Sequence, residues 1–185
     1  MPSLARIVLL NGVGSAGKGS IAKALQRITA APFLHVEMDA FLAMLPERCI
    51  DHPDGIAFEP VTEGGKNLVK IRTGPVADRT FRGMRHAIAA MAAVGNDLIV
   101  DDVITRGQMA DYETLLAGFT LHRVGVFASL DVLEARERAR GDRMIGLARW
   151  QFDRVHRGVT YDLELDTGAA TPMQCAELIR SRFEL

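Results

Sequence analysis

The apolar positions along the chain change period several times, and each change marks an element. Leu4 to Leu10 is a continuous run rich in Ile, Val and Leu, which predicts a strand buried on both faces. After a glycine-rich stretch, Ile21, Leu25 and Ile28 fall at i, i+4 and i+7, one face of a helix. "PFLHVEM" predicts a second strand ending at Asp39, and "AFLAML" a short helix stopped by Pro46. From Asp51 to Gly74, "GIAFEPV" and "KNLVKI" flank "TEGG", the pattern of a hairpin. A long helix over Val76 to Val94 carries Phe81, Met84, Ile88 and Met91 at helical spacing. "NDLIVDDVI" predicts a third strand with a helix after it to about Leu116, and "HRVGVFA" a fourth strand. Helices over Leu130 to Arg140 and near Leu147 to His156 are separated by "GDR". "TYDLELDT" is the last strand, and Met173 to Phe183 the last helix.

Apolar strands alternating with helices predict an α/β fold. Its mainly parallel sheet has five strands, covered by helices on both sides in three layers. The hairpin interrupts the alternation as an insertion near residues 51–74, and the whole chain, 1–185, reads as one domain. Ligands of such sheets sit beyond the carboxyl ends of the strands. Lys18, Asp39 and Asp101 each fall at or near such an end, so they are candidates for one site.

Composition narrows the class. A chain of 185 residues, 48% of them hydrophobic, is long enough to bury a sizeable core. A formal net charge of −1 gives no global signature of a nucleic-acid or anionic-membrane partner. No apolar run reaches the roughly 18 residues of a membrane span, and "MPSLARIVLL" lacks the parts of a signal peptide. Cys49 and Cys175 form no CxxC motif. These features predict reduced thiols and a cytoplasmic location. The choice between monomer and homo-oligomer stays open.

The glycine-rich stretch carries the strongest chemistry. Gly12, Gly17 and Lys18 fit G-x-x-x-x-G-K between a strand and an amphipathic helix. The backbone of Gly12, Val13, Gly14, Ser15, Ala16 and Gly17 would turn its amides toward polyphosphate, and the start of the next helix favours anions. Lys18 adds a cation for the β- and γ-phosphates of ATP. The residue after the lysine is usually Ser or Thr; here it is Gly19, with Ser20 one place later. One helical step turns a side chain by about 100°, so Ser20 does not stand where that hydroxyl would. Magnesium commonly keeps several waters. The loop is therefore read as a working one, with Mg2+ held near Ser20 and Asp101 through water.

Carboxylates and arginines complete the set. Asp39 is positioned either to accept a hydroxyl proton during phosphoryl transfer or to cap the helix that follows it. Asp101 and Asp102 end the third strand like a Walker B pair. In "EARERARGDRMIG", Arg136, Arg140 and Arg143 fall at i, i+4 and i+7, next to a flexible Gly141. They form either an arginine lid near residues 136–147 over the phosphates or a solvated helix face paired with Glu134 and Glu137. The five histidines show no metal-ligand spacing and read as surface or satisfied core residues.

Together these residues resemble the chloramphenicol phosphotransferase-like kinases, part of the P-loop kinase group. The likeness rests on "LNGVGSAGKGSIAKALQ", "VEMDAFLAMLP", "DGIAFEP", "LIVDDVI", "EARERARGDRMIGLA" and "HRGVTYDLELDT", and covers most of the chain. The resemblance implies a P-loop kinase fold and transfer of the ATP γ-phosphate to a hydroxyl of a small molecule. It implies Asp39 as general base, Lys18 as the phosphate-loop lysine, Arg140 and Arg143 as lid arginines, and Asp166 and Thr167 near the adenine. Two departures stand out. Gly19 replaces the serine of the antibiotic kinase. The stretch from Asp51 to Thr80 diverges and brings Lys66, Lys70, Arg72 and Arg79, which points to a polar or anionic acceptor. "GKGS" is also similar to the adenylate kinase loop, so a nucleoside monophosphate kinase is a rival reading. A nucleotide-binding module without transfer is another.

Overall fold

The computed structural model describes residues 4–105, 107–141 and 144–185. The central sheet contains β1 (Arg6–Gly12), β2 (Phe33–Glu37), β5 (Asp97–Asp102), β6 (Thr120–Phe127) and β7 (Leu163–Asp166). Their order is β2-β5-β1-β6-β7, and every pair is parallel. A separate antiparallel hairpin is formed by β3 (Ile56–Glu63) and β4 (Lys66–Thr73). The helices are α1 (Lys18–Ile28), α2 (Met38–Leu42), α3 (Pro75–Ala93), α4 (Gln108–Leu115), α5 (Leu130–Arg140), α6 (Leu147–Phe152) and α7 (Pro172–Phe183).

The layers follow from alternation along the strands. In β1, Val8 and Leu10 join Ile21 and Leu25 of α1 and Ala176 and Ile179 of α7 in one core. Ile7 and Leu9 face the opposite way, onto Met84 and Ile88 of α3 and Tyr112 of α4. A strand with helices on both faces must be apolar on both, which is why β1 reads as an unbroken hydrophobic run.

The hairpin turns at Gly64 and Gly65, both at positive φ (56° and 73°), as a two-residue hairpin turn requires. Ile56, Phe58 and Ile71 pack with Leu45, Cys49, Ala77 and Phe81 in a third, smaller core. This fixes the hairpin over the carboxyl ends of the strands.

Several boundaries differ from the sequence expectation. β2 ends at Glu37, and α2 begins at Met38, so Asp39 lies in the first helical turn. Met38 and Phe41, at i and i+3 on this helix, both pack against the core. The N-cap position belongs to Glu37, without a side-chain cap bond, which removes the capping role for Asp39. β7 is four residues long rather than eight. Before it, the Asp162 carboxylate takes the Arg123 N–H at 2.8 Å in place of a strand carbonyl. Both cysteines are free and buried, and no helix among the described residues is long and apolar enough to cross a membrane.

Candidate active site

The phosphate loop joins β1 to α1. Ser15 (φ 65°) and Gly17 (φ 92°) take left-handed backbone, and the Ala16 N–H bonds the Val13 carbonyl at 3.1 Å, so the loop closes into a tight bend. The first turn of α1 holds no acidic residue of its own, and a helix N-terminus favours anions. Lys18 is buried at 6% exposure. Its Nζ donates to the carbonyls of Gly12 (2.9 Å) and Val13 (3.2 Å) and lies 3.5 Å from Asp101 Oδ1.

A cavity of about 880 Å³ opens beside this loop. It is lined by Gly14, Ser15, Gly17, Lys18, Gly19 and Ser20 of the loop and the start of α1. Asp39 and Asp101 line it too, as do the apolar Ile56, Phe58, Ile71 and Phe81. Arg140, the last residue of α5, also borders it. The structure thus gathers the phosphate loop, Asp39, Asp101 and Arg140 around one space.

The two adjacent aspartates part company, because neighbouring strand residues face opposite ways. Asp101 turns to Lys18, while Asp102 turns into the core, accepting the Tyr112 hydroxyl at 2.8 Å and the Val103 N–H at 2.7 Å. Burial pushes the Asp101 carboxyl above its ordinary range, opposed by the positive charge of Lys18, while the charge of Asp39 adds to the rise. Burial likewise raises Asp102. Both line the cavity, but the two carboxylate oxygens of Asp102 are taken up by these hydrogen bonds, whereas Asp101 lies beside Lys18.

Position 19 shows what the missing side chain would have met. A Cβ on Gly19 would lie 3.4 Å from Asp101 Oδ2 and 3.7 Å from Glu37 Oε1. Hard oxygen donors in such a place suit magnesium. Among the described residues no group of three or more His, Cys, Asp or Glu is placed to hold a metal. Ser20 is exposed and lines the cavity one helical step further on.

Other expected residues fall elsewhere. Thr167 is buried, and its hydroxyl donates to the Ala16 carbonyl at 2.9 Å and accepts from Arg136 at 2.9 Å. It braces the back of the phosphate loop. Asp166 is exposed and accepts the Gly168 N–H at 2.8 Å; neither residue lines the cavity. Helix α5 ends at Arg140, with Gly141 at φ 70°, so the shared helix face extends over Arg136 and Arg140. Arg143 lies outside the described residues. Lys66, Lys70, Arg72 and Arg79 are absent from the cavity lining. Arg72 pairs with Glu59 at 2.7 Å on the outer side of the hairpin.

The cavity holds residues that the sequence reading passed over. Arg82 and Arg85 of α3 line it. Arg85 is 8% exposed, with its Nη2 3.1 Å from Asp111 and its Nε without a hydrogen-bond partner. Asp78, Phe81, Arg82 and Arg85 share a 3–4 residue spacing, a helix-face signal that was legible. Gln151 of α6 accepts the Gly14 N–H at 2.7 Å, tying α6 to the phosphate loop. His35 also departs from the bland reading: its Nδ1 is 3.2 Å from Glu37, and its Nε2 is buried without a partner.

A family model described as chloramphenicol phosphotransferase-like protein matches residues 5–184. The chain belongs to this family. Two sequences of Mycobacterium tuberculosis (strains CDC 1551 and H37Rv), each named "Putative O-phosphotransferase", are 35% identical over 97% of this chain and 81% of their own length. Among solved structures, the M. tuberculosis APS kinase in complex with AMPPNP and APS superposes with TM-score 0.69 at 16% identity, covering 100% of both chains. The tunicamycin resistance protein of Deinococcus radiodurans gives TM-score 0.67 at 19% identity, over 98% of this chain and 97% of that one. A gluconokinase of Sinorhizobium meliloti gives 0.61 at 21%, over 98% and 91%. These likenesses establish the fold, and membership in the chloramphenicol phosphotransferase-like family makes the chain a P-loop kinase of small molecules.

Proposed function

We propose that this kinase transfers the γ-phosphate of Mg-ATP to a hydroxyl group of a small molecule, with chloramphenicol or a related alcohol as the first acceptor to test. The observation that carries this reading is the single cavity that joins the phosphate loop, Asp39 and the apolar wall under the hairpin. Phosphates seated on the loop amides would draw the Lys18 ammonium from the Gly12 and Val13 carbonyls. The acceptor would lie against Phe58, Ile71 and Phe81, its hydroxyl toward Asp39. As the hydroxyl oxygen forms its bond to γ-phosphorus, the bond to the bridging oxygen of ADP breaks, and Asp39 takes the hydroxyl proton. Arg140 would offset charge on the transferring group. Magnesium would be held at Asp101 and the space over Gly19, and would neutralise charge on the phosphates.

The test is a mass-spectrometric transfer assay with Mg-ATP and a panel of chloramphenicol, sugars, polyols and nucleosides. Asp39→Asn is expected to lower transfer by about 10²–10⁴-fold while ATP-analogue binding is kept. Unchanged turnover in that variant would remove Asp39 as the base. ATP binding without transfer to any acceptor would favour a non-catalytic module. A second reading, a nucleoside monophosphate kinase, draws on Arg82 and Arg85 at the acceptor end, where guanidinium groups can pair with a phosphate. Adding nucleoside monophosphates to the panel decides it.

A further inference from the structure

The gap over Gly19 is bounded by more than the Walker B carboxylate. Glu37 and Asp101 are direct partners in the parallel β2–β5 ladder. Residues paired in register on adjacent strands point to the same side, and here that side faces the start of α1. Their carboxylate oxygens approach the place of a residue-19 Cβ to 3.7 and 3.4 Å. A serine or threonine hydroxyl at 19 would therefore enter the space between them.

A buried group borders the same two carboxylates. The His35 side chain is 9% exposed, and its Nε2 has no hydrogen-bond partner among the described residues. That nitrogen lies 4.0 Å from Asp101 Oδ2, too far for a direct bond. Its Nδ1 is 3.2 Å from Glu37 Oε1, so the ring sits beside both carboxylates. Glu37 keeps 39% of its side chain exposed and lines the cavity, so it is accessible to a ligand. The facing cations are Lys18, 3.5 Å from Asp101, and Lys23 on the cavity wall.

We propose that Glu37 takes the place of the hydroxyl missing at residue 19 and, with Asp101, holds the Mg2+ that accompanies ATP. This rests on the kinase reading above. A carboxylate oxygen is a hard donor like a hydroxyl oxygen but brings a negative charge, and magnesium is commonly bound by one or two carboxylates together with substrate phosphates. The loop and the second strand thus share a function that a P-loop usually keeps within the loop.

The experiment measures metal binding rather than turnover. Mn2+, a paramagnetic stand-in, is titrated into protein saturated with AMPPNP and followed by electron paramagnetic resonance; AMPPNP affinity without metal is measured alongside. Glu37→Gln is expected to weaken Mn2+ binding by about 10–100-fold, with metal-free nucleotide affinity equal to wild type or tighter, because a negative charge beside the phosphates is removed. Gly19→Ser in the Glu37→Gln background should recover most of that loss. Its Cβ fits, because the nearest atoms are at ordinary contact distances of 3.4 and 3.7 Å. Wild-type Mn2+ affinity in Glu37→Gln overturns the proposal. So does a loss that Gly19→Ser leaves in place, since Glu37 would then act only through His35. A wild-type protein that binds no AMPPNP at all removes the kinase reading and this proposal with it. Normal nucleotide binding with metal affinity indifferent to Glu37 removes this proposal alone.

Discussion

Glu137 offers a sharp test of how the start of α6 is held. It is 2% exposed, and its carboxylate accepts the N–H groups of Gly146 at 2.8 Å and Ala148 at 2.7 Å. These donors open α6 and have no partner within the helix. Glu137→Ala leaves both buried and unpaired. At about 1–3 kcal/mol for each orphaned group, the expected cost is about 2–6 kcal/mol. That is a large part of the roughly 5–15 kcal/mol that keeps a domain folded. Glu137→Gln keeps one accepting oxygen but sets an amide NH2 against the other donor, so about 1–3 kcal/mol is expected. Urea denaturation followed by circular dichroism reads both, with an unchanged slope showing that the transition itself is the same. The effect should reach the phosphate loop too. Helix α6 carries Gln151, whose Oε1 accepts the Gly14 N–H at 2.7 Å. A loosened α6 should therefore weaken ATP-analogue binding in the milder variant. A destabilisation within about 0.5 kcal/mol for Glu137→Ala, the size of a surface change, would refute the reasoning.

Two further outcomes are expected. Gly12→Ala would put a Cβ 2.5 Å from the Val126 carbonyl oxygen, forcing β1 from β6 at the base of the loop. About 1–3 kcal/mol of overpacking should appear in denaturation, together with weaker nucleotide binding; wild-type behaviour would show that the strands yield freely. His156 stacks on Phe127 at 3.9 Å, and burial, with the charge of Lys18, lowers its pKa to about 4. Between that value and its ordinary 6.5 the unfolded chain binds the extra proton. Stability should therefore be full above about pH 6.5 and fall on acidification toward pH 4. After allowing for the ring's partial exposure the loss is about 1–2 kcal/mol. Comparing denaturation at pH 7 and pH 5 for wild type and His156→Gln checks this; an equal acid loss in both would assign it to other groups.

Much was determined by the sequence alone. The unbroken apolar run of β1, the G-x-x-x-x-G-K loop and the helical spacing after it are local patterns, and local sterics make them a strand, a phosphate loop and a helix. The Gly64–Gly65 turn of the hairpin is legible for the same reason, because left-handed backbone suits glycine. Tertiary structure decided what depends on distant partners. Asp101 and Asp102 are alike in sequence, yet one meets Lys18 and the other Tyr112. In the sequence Glu134 and Glu137 are candidate partners of a solvated arginine face, yet Glu137 is buried under the start of α6. Lys66, Lys70 and Arg72 suggested a cationic acceptor site, but strand alternation and the small core beneath the hairpin turn Phe58 and Ile71 inward instead. Arg82 and Arg85 reach the cavity because α3 packs alongside it. Glu37 meets Asp101 over Gly19 because β2 pairs with β5 in register, although the two carboxylates lie 64 positions apart in the sequence. Local propensity carries no record of such pairings; they arise only when the sheet orders its strands and burial fixes which side of each one faces the site.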